Sequence, residues 1–237
     1  MEHDHSPDAI RERLSAGPRH SYLRDWVYGG IDGAVTTFAV VAGVVGAQLS
    51  SKIILIIGAA NIIADGFSMA ASNYLGTKTE REERERLKAI EYRHIKDFPE
   101  GEREEVRQIF REKGFEGDDL ERVVELITAD RKIWVQTMLT EEYGLPQDIR
   151  SEWLAALSTF SAFMLCGLVP MLPYFFGLQN EFILATILTG VVFFVIGSVR
   201  SLWSTIKWYR SGVETFVIGS AAATLAYIAG VLLQGLA

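Results

Sequence analysis

Cysteine is almost missing from this sequence: Cys166 stands alone among 237 residues. A disulfide framework or a multi-cysteine zinc site is therefore excluded within one chain. There is no basic excess either, with 23 Lys and Arg against 30 Asp and Glu and a formal net charge of −7. Phosphate recognition needs a basic face, so nucleic acid is not an expected partner; the balance suits cations. The opening residues lack the short apolar core of a cleavable signal peptide, and membrane insertion is expected to use the mature helices themselves. Catalytic signatures are also missing. No phosphate-cradling glycine loop precedes Lys and Ser/Thr, and there is no serine-centred elbow or zinc-protease helix. The chain does not read as an enzyme, and movement of a solute driven by ATP would need another subunit.

What is present is apolar residue in blocks, 49% of the whole. A spanning helix needs roughly 20 predominantly apolar residues to cross a hydrocarbon core of about 30 Å. Five blocks qualify, near Tyr28 to Leu49, Ile53 to Leu75, Trp153 to Phe176, Phe182 to Trp203, and Val213 to Leu236. Between the second and third lies a charged stretch: Gly76 to Glu152 holds 21 of the 30 acidic and 15 of the 23 basic residues. The expected organisation is a segment 1–27, transmembrane helices 1–2 over 28–75, a helical insert over 76–150, and transmembrane helices 3–5 over 151–237. No internal repeat is evident, and an odd number of spans argues against a duplicated transporter.

Orientation follows from Lys and Arg near the span ends. Arg11, Arg13, Arg19 and Arg24 precede the first span, Arg81, Arg84, Arg86 and Lys88 follow the second, and Lys207 and Arg210 separate the fourth from the fifth. The opposite loops offer only Lys52. The amino terminus and the insert are thus expected to be cytosolic and the carboxy terminus on the far side. Arg200, near the end of the fourth span, is expected to snorkel to the interface. The insert reads as three helices with breaks at Phe98 to Gly101 and at Lys113 to Asp119. Its third helix, Asp119 to Tyr143, carries an apolar stripe of Val123, Val124, Ile127, Trp134 and Met138.

Ionisable residues inside a bilayer are expensive and are functional candidates by default. Two are deep here, Asp32 and Asp65. On the second span Asn61, Asp65, Met69 and Asn73 recur every four residues and share one helix face as a ladder of oxygen and thioether donors. Oxygens suit hard divalent ions, and a thioether adds softness favouring Fe(II) or Co(II) over Mg(II) and Ca(II). The competing reading has Met69 as gap-filling core and Asp65 paired with a polar neighbour. In the insert Glu80, Glu83, Glu91 and His94 share a helix face, Glu102 and Glu105 open the next helix, and Met138, Glu141 and Glu142 close the last. Carboxylates on packed helices can share metal ions, although spacing alone equally describes a solvated charged face. Gly29, Gly33, Gly43 and Gly46 permit close helix contact, compatible with a homodimer. Pro170 and Pro173 free backbone carbonyls in the third span, and Cys166 reads as a small hydrophobe.

With these residues in view, the chain resembles the vacuolar iron transporter family, including its bacterial and archaeal members. The resemblance rests on Arg24-Asp25, on Gly30 to Phe38 (GIDGAVTTF), on Ala64 to Met69 (ADGFSM), on Phe98 to Glu102 (FPEGE), on Glu142 to Leu145 (EYGL) and on Pro170 to Pro173. It implies an all-α membrane protein of five transmembrane helices, with a three-helix cytosolic metal-binding domain inserted between helices 2 and 3, assembled as a homodimer. It also implies export of Fe(II) from the cytosol in exchange for protons. By the same resemblance Asp32 and Met69 belong to the pathway, and Glu80, Glu83 and Glu91 are cytosolic ligands, joined by Glu102, Glu105, Met138, Glu141 and Glu142. His94 stands where many relatives carry glutamate, which makes that site less anionic and favours softer ions.

The expected function is secondary transport of Fe(II), with Mn(II), Co(II) or Zn(II) as further substrates, in a cell membrane if the source is prokaryotic. The rival expectation is a membrane-anchored metal sensor or store. Asp32, Asp65 and Met69 separate the two, because an anchor has no use for costly buried carboxylates.

Overall fold

The computed structural model describes residues 4, 6–15, 21–146 and 150–233. Arg19 and the last residues of the fifth expected span lie outside them. Every regular element among the described residues is helical: α1 (Pro7–Ser15), α2 (Leu23–Gly46), α3 (Ser51–Asp97), α4 (Pro99–Glu112), α5 (Gly117–Ala129), α6 (Arg131–Glu141), α7 (Glu152–Leu168), α8 (Leu172–Phe175), α9 (Glu181–Arg200) and α10 (Trp208–Leu233). Two compact units result, one of Met1–Pro18 with Gly76–Arg150 and the other of Arg19–Leu75 with Ser151–Ala237.

In the second unit, five stretches are long and apolar enough to cross a membrane: Leu23–Gly46, the apolar part of Ser51–Asp97, Glu152–Phe175, Glu181–Arg200 and Trp208–Leu232. Their outward faces are greasy. Ile183, Ile187, Val191 and Val195 form an exposed i, i+4 row on α9, and Ile56, Ile63 and Phe67 stand exposed on α3. Such a surface is stable only where lipid is the solvent.

The helices meet backbone to backbone through glycine. A Cβ added at Gly29 would lie 2.2 Å from the Thr159 carbonyl oxygen, and one at Gly33 would lie 2.4 Å from that of Phe163, so α2 rests directly on α7. Gly230 does the same for α10 against α2, its added Cβ falling 2.5 Å from the Gly43 oxygen. The α2 glycines are thus used within the chain, where no sequence signal distinguished internal from intersubunit packing. The third span is not one continuous helix. After Leu168 a 3₁₀ turn over Val169–Met171 and the one-turn α8 follow, with Pro170 and Pro173 in their opening positions. The change from α-helix to 3₁₀ turn and back falls at the prolines, which have no N–H with which to continue the ladder of the preceding turn. Cys166 is buried with Ala34, Phe193 and Ile196 as an ordinary small apolar residue.

The first unit packs around Ile95, Val106, Leu120, Val124, Trp134, Val135, Met138 and Leu139. The helix expected over Asp119 to Tyr143 is in fact two, α5 and α6, broken at Asp130. Asp130 has extended backbone and its carboxylate accepts from the N–H groups of Lys132 (2.7 Å) and Ile133 (3.2 Å). A side chain that caps so well competes with helix continuation. The expected apolar stripe survives the break, with Val124, Trp134 and Met138 in the core and Val123 and Ile127 packed against it.

Candidate metal sites

Within the second unit a cavity of about 1040 Å³ is lined by Arg24, Tyr28, Ile31, Asp32, Met69 and Arg200 among others. Asp32 and Met69, from different helices, therefore open onto one space. Asp65 lies within electrostatic range of Asp32 and accepts a short hydrogen bond from Asn61 Nδ2. The Asn61 amide oxygen is buried without a hydrogen-bond partner. The fourth member of the ladder turns elsewhere: Asn73 Nδ2 donates to Asp25 Oδ1 (2.9 Å), Thr159 Oγ1 (2.8 Å) and the Ala155 carbonyl (3.3 Å). Asn73 thereby ties α3 to α2 and α7 around the buried Asp25. Arg200, expected to snorkel, is engaged by side chains of α10. Its Nε donates to Ser211 Oγ at 3.1 Å and its Nη2 pairs with Glu214, a carboxylate the sequence did not single out.

A second set gathers in the first unit. Pro99 opens α4 directly after Phe98, whose N–H returns to the His94 carbonyl at 2.7 Å. This tight corner brings the start of α4 against the end of α3. Glu91 lies four residues before the buried Ile95, and Glu102 four before the buried Val106, so both glutamates point along core-facing stripes. They are 1% and 5% exposed. Tyr143 donates its hydroxyl to Glu91 Oε1 at 2.9 Å. His94 Nδ1 is 3.4 Å from Glu102 Oε1 and 3.9 Å from Glu91 Oε1. The second oxygens of both glutamates, Glu91 Oε2 and Glu102 Oε2, are buried with no hydrogen-bond partner. A buried unpartnered carboxylate oxygen is costly.

The electrostatics record that cost. Burial, then the negative charges of Glu91, Glu105 and Glu142, push the Glu102 carboxyl up to about 7. Burial and the charges of Glu91 and Glu105 also raise Glu142, with Tyr143 and His94 opposing. Burial and the Glu91 bond raise the Tyr143 phenol. Glu91, His94, Glu102, Glu105 and Glu142 are therefore brought together. Met138 is not among them, because it is wholly enclosed in the core. Glu141 pairs with Lys113 at 2.5 Å. Glu80 and Glu83 are exposed on α3, with Glu83 about 12 Å of helix before Glu91. Among the described residues no three His, Cys, Asp or Glu side chains already stand in a metal-coordinating arrangement. Tyr143 was missed as a site residue, although its place beside Glu142 in the Glu142 to Leu145 motif was the available signal.

Apolar spanning-length helices with a carboxylate and a thioether facing one open cavity describe a membrane protein that presents metal donors among its spans. A model of the VIT family matches residues 23–231, and the chain belongs to that family. It is similar to the vacuolar iron transporter of Toxoplasma gondii (33% identical, covering 97% of this chain and 82% of the relative). It is also similar to vacuolar iron transporter 1 of Arabidopsis thaliana (30% identical, 90% and 86%) and to the vacuolar iron transporter of Plasmodium falciparum (27% identical, 90% and 82%).

Proposed function

We propose that this protein is a secondary transporter that exports Fe(II) from the cytosol in exchange for protons, with Mn(II), Co(II) and Zn(II) as lesser substrates. The observation that carries this reading is the convergence of Asp32 and Met69 on one cavity, with Asp65 in electrostatic range of Asp32. A sensor or store needs ligands in water and gains nothing from carboxylates among spanning helices. The positive-inside pattern supports a cytosolic first unit, where Glu91, His94, Glu102, Glu105 and Glu142 collect ions, and the family resemblance supports a homodimer. Purified protein in liposomes tests the pathway. Asp32→Ala is expected to reduce Fe(II) or Mn(II) flux at least tenfold relative to wild type (about 1.4 kcal/mol in the barrier). Flux at the wild-type level would remove Asp32 from the route.

The first unit should bind metal in a pH-dependent manner. Protons and metal compete for the same oxygens, and Glu102 exchanges its proton near 7. Affinity for Mn(II) is expected to rise steeply between pH 6 and 8. The metal-free protein should behave oppositely. The folded-state value of Glu102 lies above its ordinary 4.5, so its contribution to stability is full below that value and is lost as pH rises through 7. Calorimetric titration at several pH values, with thermal unfolding in chelator, checks both signs. A pH-independent affinity would separate Glu102 from the metal.

A further inference from the structure

We propose that Asn73 and Asp25 are positioning residues: the bond between them fixes the register of α3 against α2 and so holds Met69 and Asp65 level with Asp32. This deepens the transport reading and rests on it. Only Ala47 to Ser50 connect α2 to α3, so the two helices run antiparallel. The start of α2 meets the inner end of the membrane part of α3, where Asn73 Nδ2 donates to Asp25 Oδ1 at 2.9 Å. From that fixed point Asp32 lies seven residues along α2 on the same face, a rise of about 10.5 Å. In the same direction along α3, Met69 is four residues away, about 6 Å, and Asp65 is eight, about 12 Å. Asp32 thus falls level with the interval between them. The side chains agree, since Asp32 and Met69 line one cavity and Asp65 lies in electrostatic range of Asp32. A slip of one turn, about 5.4 Å, would leave Asp32 level with only one of the two.

Apolar packing has no direction of its own and does not by itself forbid sliding. A buried polar bond does, because moving out of register breaks it in a place where water cannot replace it. The surroundings of Asn73 are built to receive a donor. Asp25 is 4% exposed and Thr159 1%. Thr159 Oγ1 gives its proton to the Ala155 carbonyl at 3.1 Å and accepts from Asn73 at 2.8 Å, and that carbonyl lies 3.3 Å from the same amide nitrogen. Carboxylate, hydroxyl and carbonyl all present lone pairs there, so an amide N–H fits at position 73 and a second carboxylate does not. At the opposite end of the span Ser51 Oγ donates to Glu181 Oε2 at 2.9 Å, but that bond is exposed and reaches α9, so it does not set α3 against α2.

The test uses the purified full-length protein in liposomes with Co(II) and Mn(II) as probes, read as the ratio of kcat/KM for the two ions. Loss of fold lowers transport of both ions alike, whereas loss of register takes the Met69 thioether away from Asp32 and lowers the ratio. Asn73→Ala is expected to lower the Co(II) to Mn(II) ratio about fivefold, as Met69→Leu does, and to change it no further in the Met69→Leu protein. Asn73→Asp is expected to lower it likewise. Adding Asp25→Asn, which again sets a donor opposite an acceptor, is expected to return the ratio to within about twofold of wild type. If Asn73→Ala yields too little protein, Asn73→Ser, whose hydroxyl is one bond shorter than the amide, carries the same comparison. A wild-type ratio in the Asn73 variants while flux of both ions falls, or a ratio that falls again on the Met69→Leu background, overturns the positioning role and leaves transport standing. Wild-type protein that carries neither ion overturns the transport reading, and this role with it.

Discussion

Gly33→Val is expected to leave little folded protein. The added Cβ would fall 2.4 Å from the Phe163 carbonyl oxygen and 2.9 Å from its Cα, both backbone atoms that no rotamer change can move. Overpacking a core typically costs about 1–3 kcal/mol, and a clash between two backbones belongs at the upper end or beyond it. Among membrane helices the loss is compounded, since close packing supplies much of the association energy. Gly43→Ala is the matched control, because nothing lies within 4 Å of the Cβ it would add. Yield of monodisperse protein in detergent and its unfolding midpoint read the difference. A wild-type midpoint for Gly33→Val would show that α2 and α7 can separate without loss.

Asp65→Asn is expected to abolish metal-driven proton movement, whereas Met69→Leu is expected to preserve it and change which ion is carried. A metal ion and a proton compete for carboxylate oxygens, and because Asp65 lies within electrostatic range of Asp32 the proposed coupling is assigned to the two carboxylates together. Met69 lines the same cavity as Asp32, but a thioether exchanges no proton and contributes only softness. Proteoliposomes with a trapped pH dye, challenged with Fe(II) or Mn(II), should show no acidification or alkalinisation for Asp65→Asn and a normal signal for Met69→Leu. Normal proton counter-flow in Asp65→Asn would reject the assignment of coupling to the pair.

Much of this molecule was legible as a one-dimensional pattern. Apolar length gave the long helices, because the bilayer imposes a length scale on sequence. Helix periodicity placed Glu91 and His94 on one face, and the Phe98 to Glu102 corner brought Glu102 towards them. What periodicity does not encode is the partner a side chain finds. Asn73 had the spacing of a ligand but is engaged by Asp25 and Thr159, while Glu141 had the spacing of a ligand but is engaged by Lys113. Met138 was read both as part of an apolar stripe and as a donor, and the core claims it. Asp130 was passed over because an aspartate inside a run of helix formers gives no warning that its carboxylate will seize two backbone N–H groups. Tyr143 and Glu214 needed tertiary neighbours to be noticed at all.

The glycine seam between α2 and α7 also bears on kinematics. Side chains that interdigitate can ratchet past one another, but two backbones in direct contact have no intermediate positions to occupy. In an alternating carrier, then, α2 and α7 travel as one body, and Asp32 travels with them. The membrane part of α3 approaches α7 and the 3₁₀ turn after it through side chains: the atoms nearest a Cβ added at Gly66 belong to the rings of Phe163 and Phe160, and those nearest one added at Gly58 belong to the flexible Met171 thioether. Such contacts yield. On the proposed reading, in which Asp32, Asp65 and Met69 handle the ion, the separation that a transport cycle would change is that between Asp32 on one body and Asp65 and Met69 on the other, with Asn73 as the tie between the two.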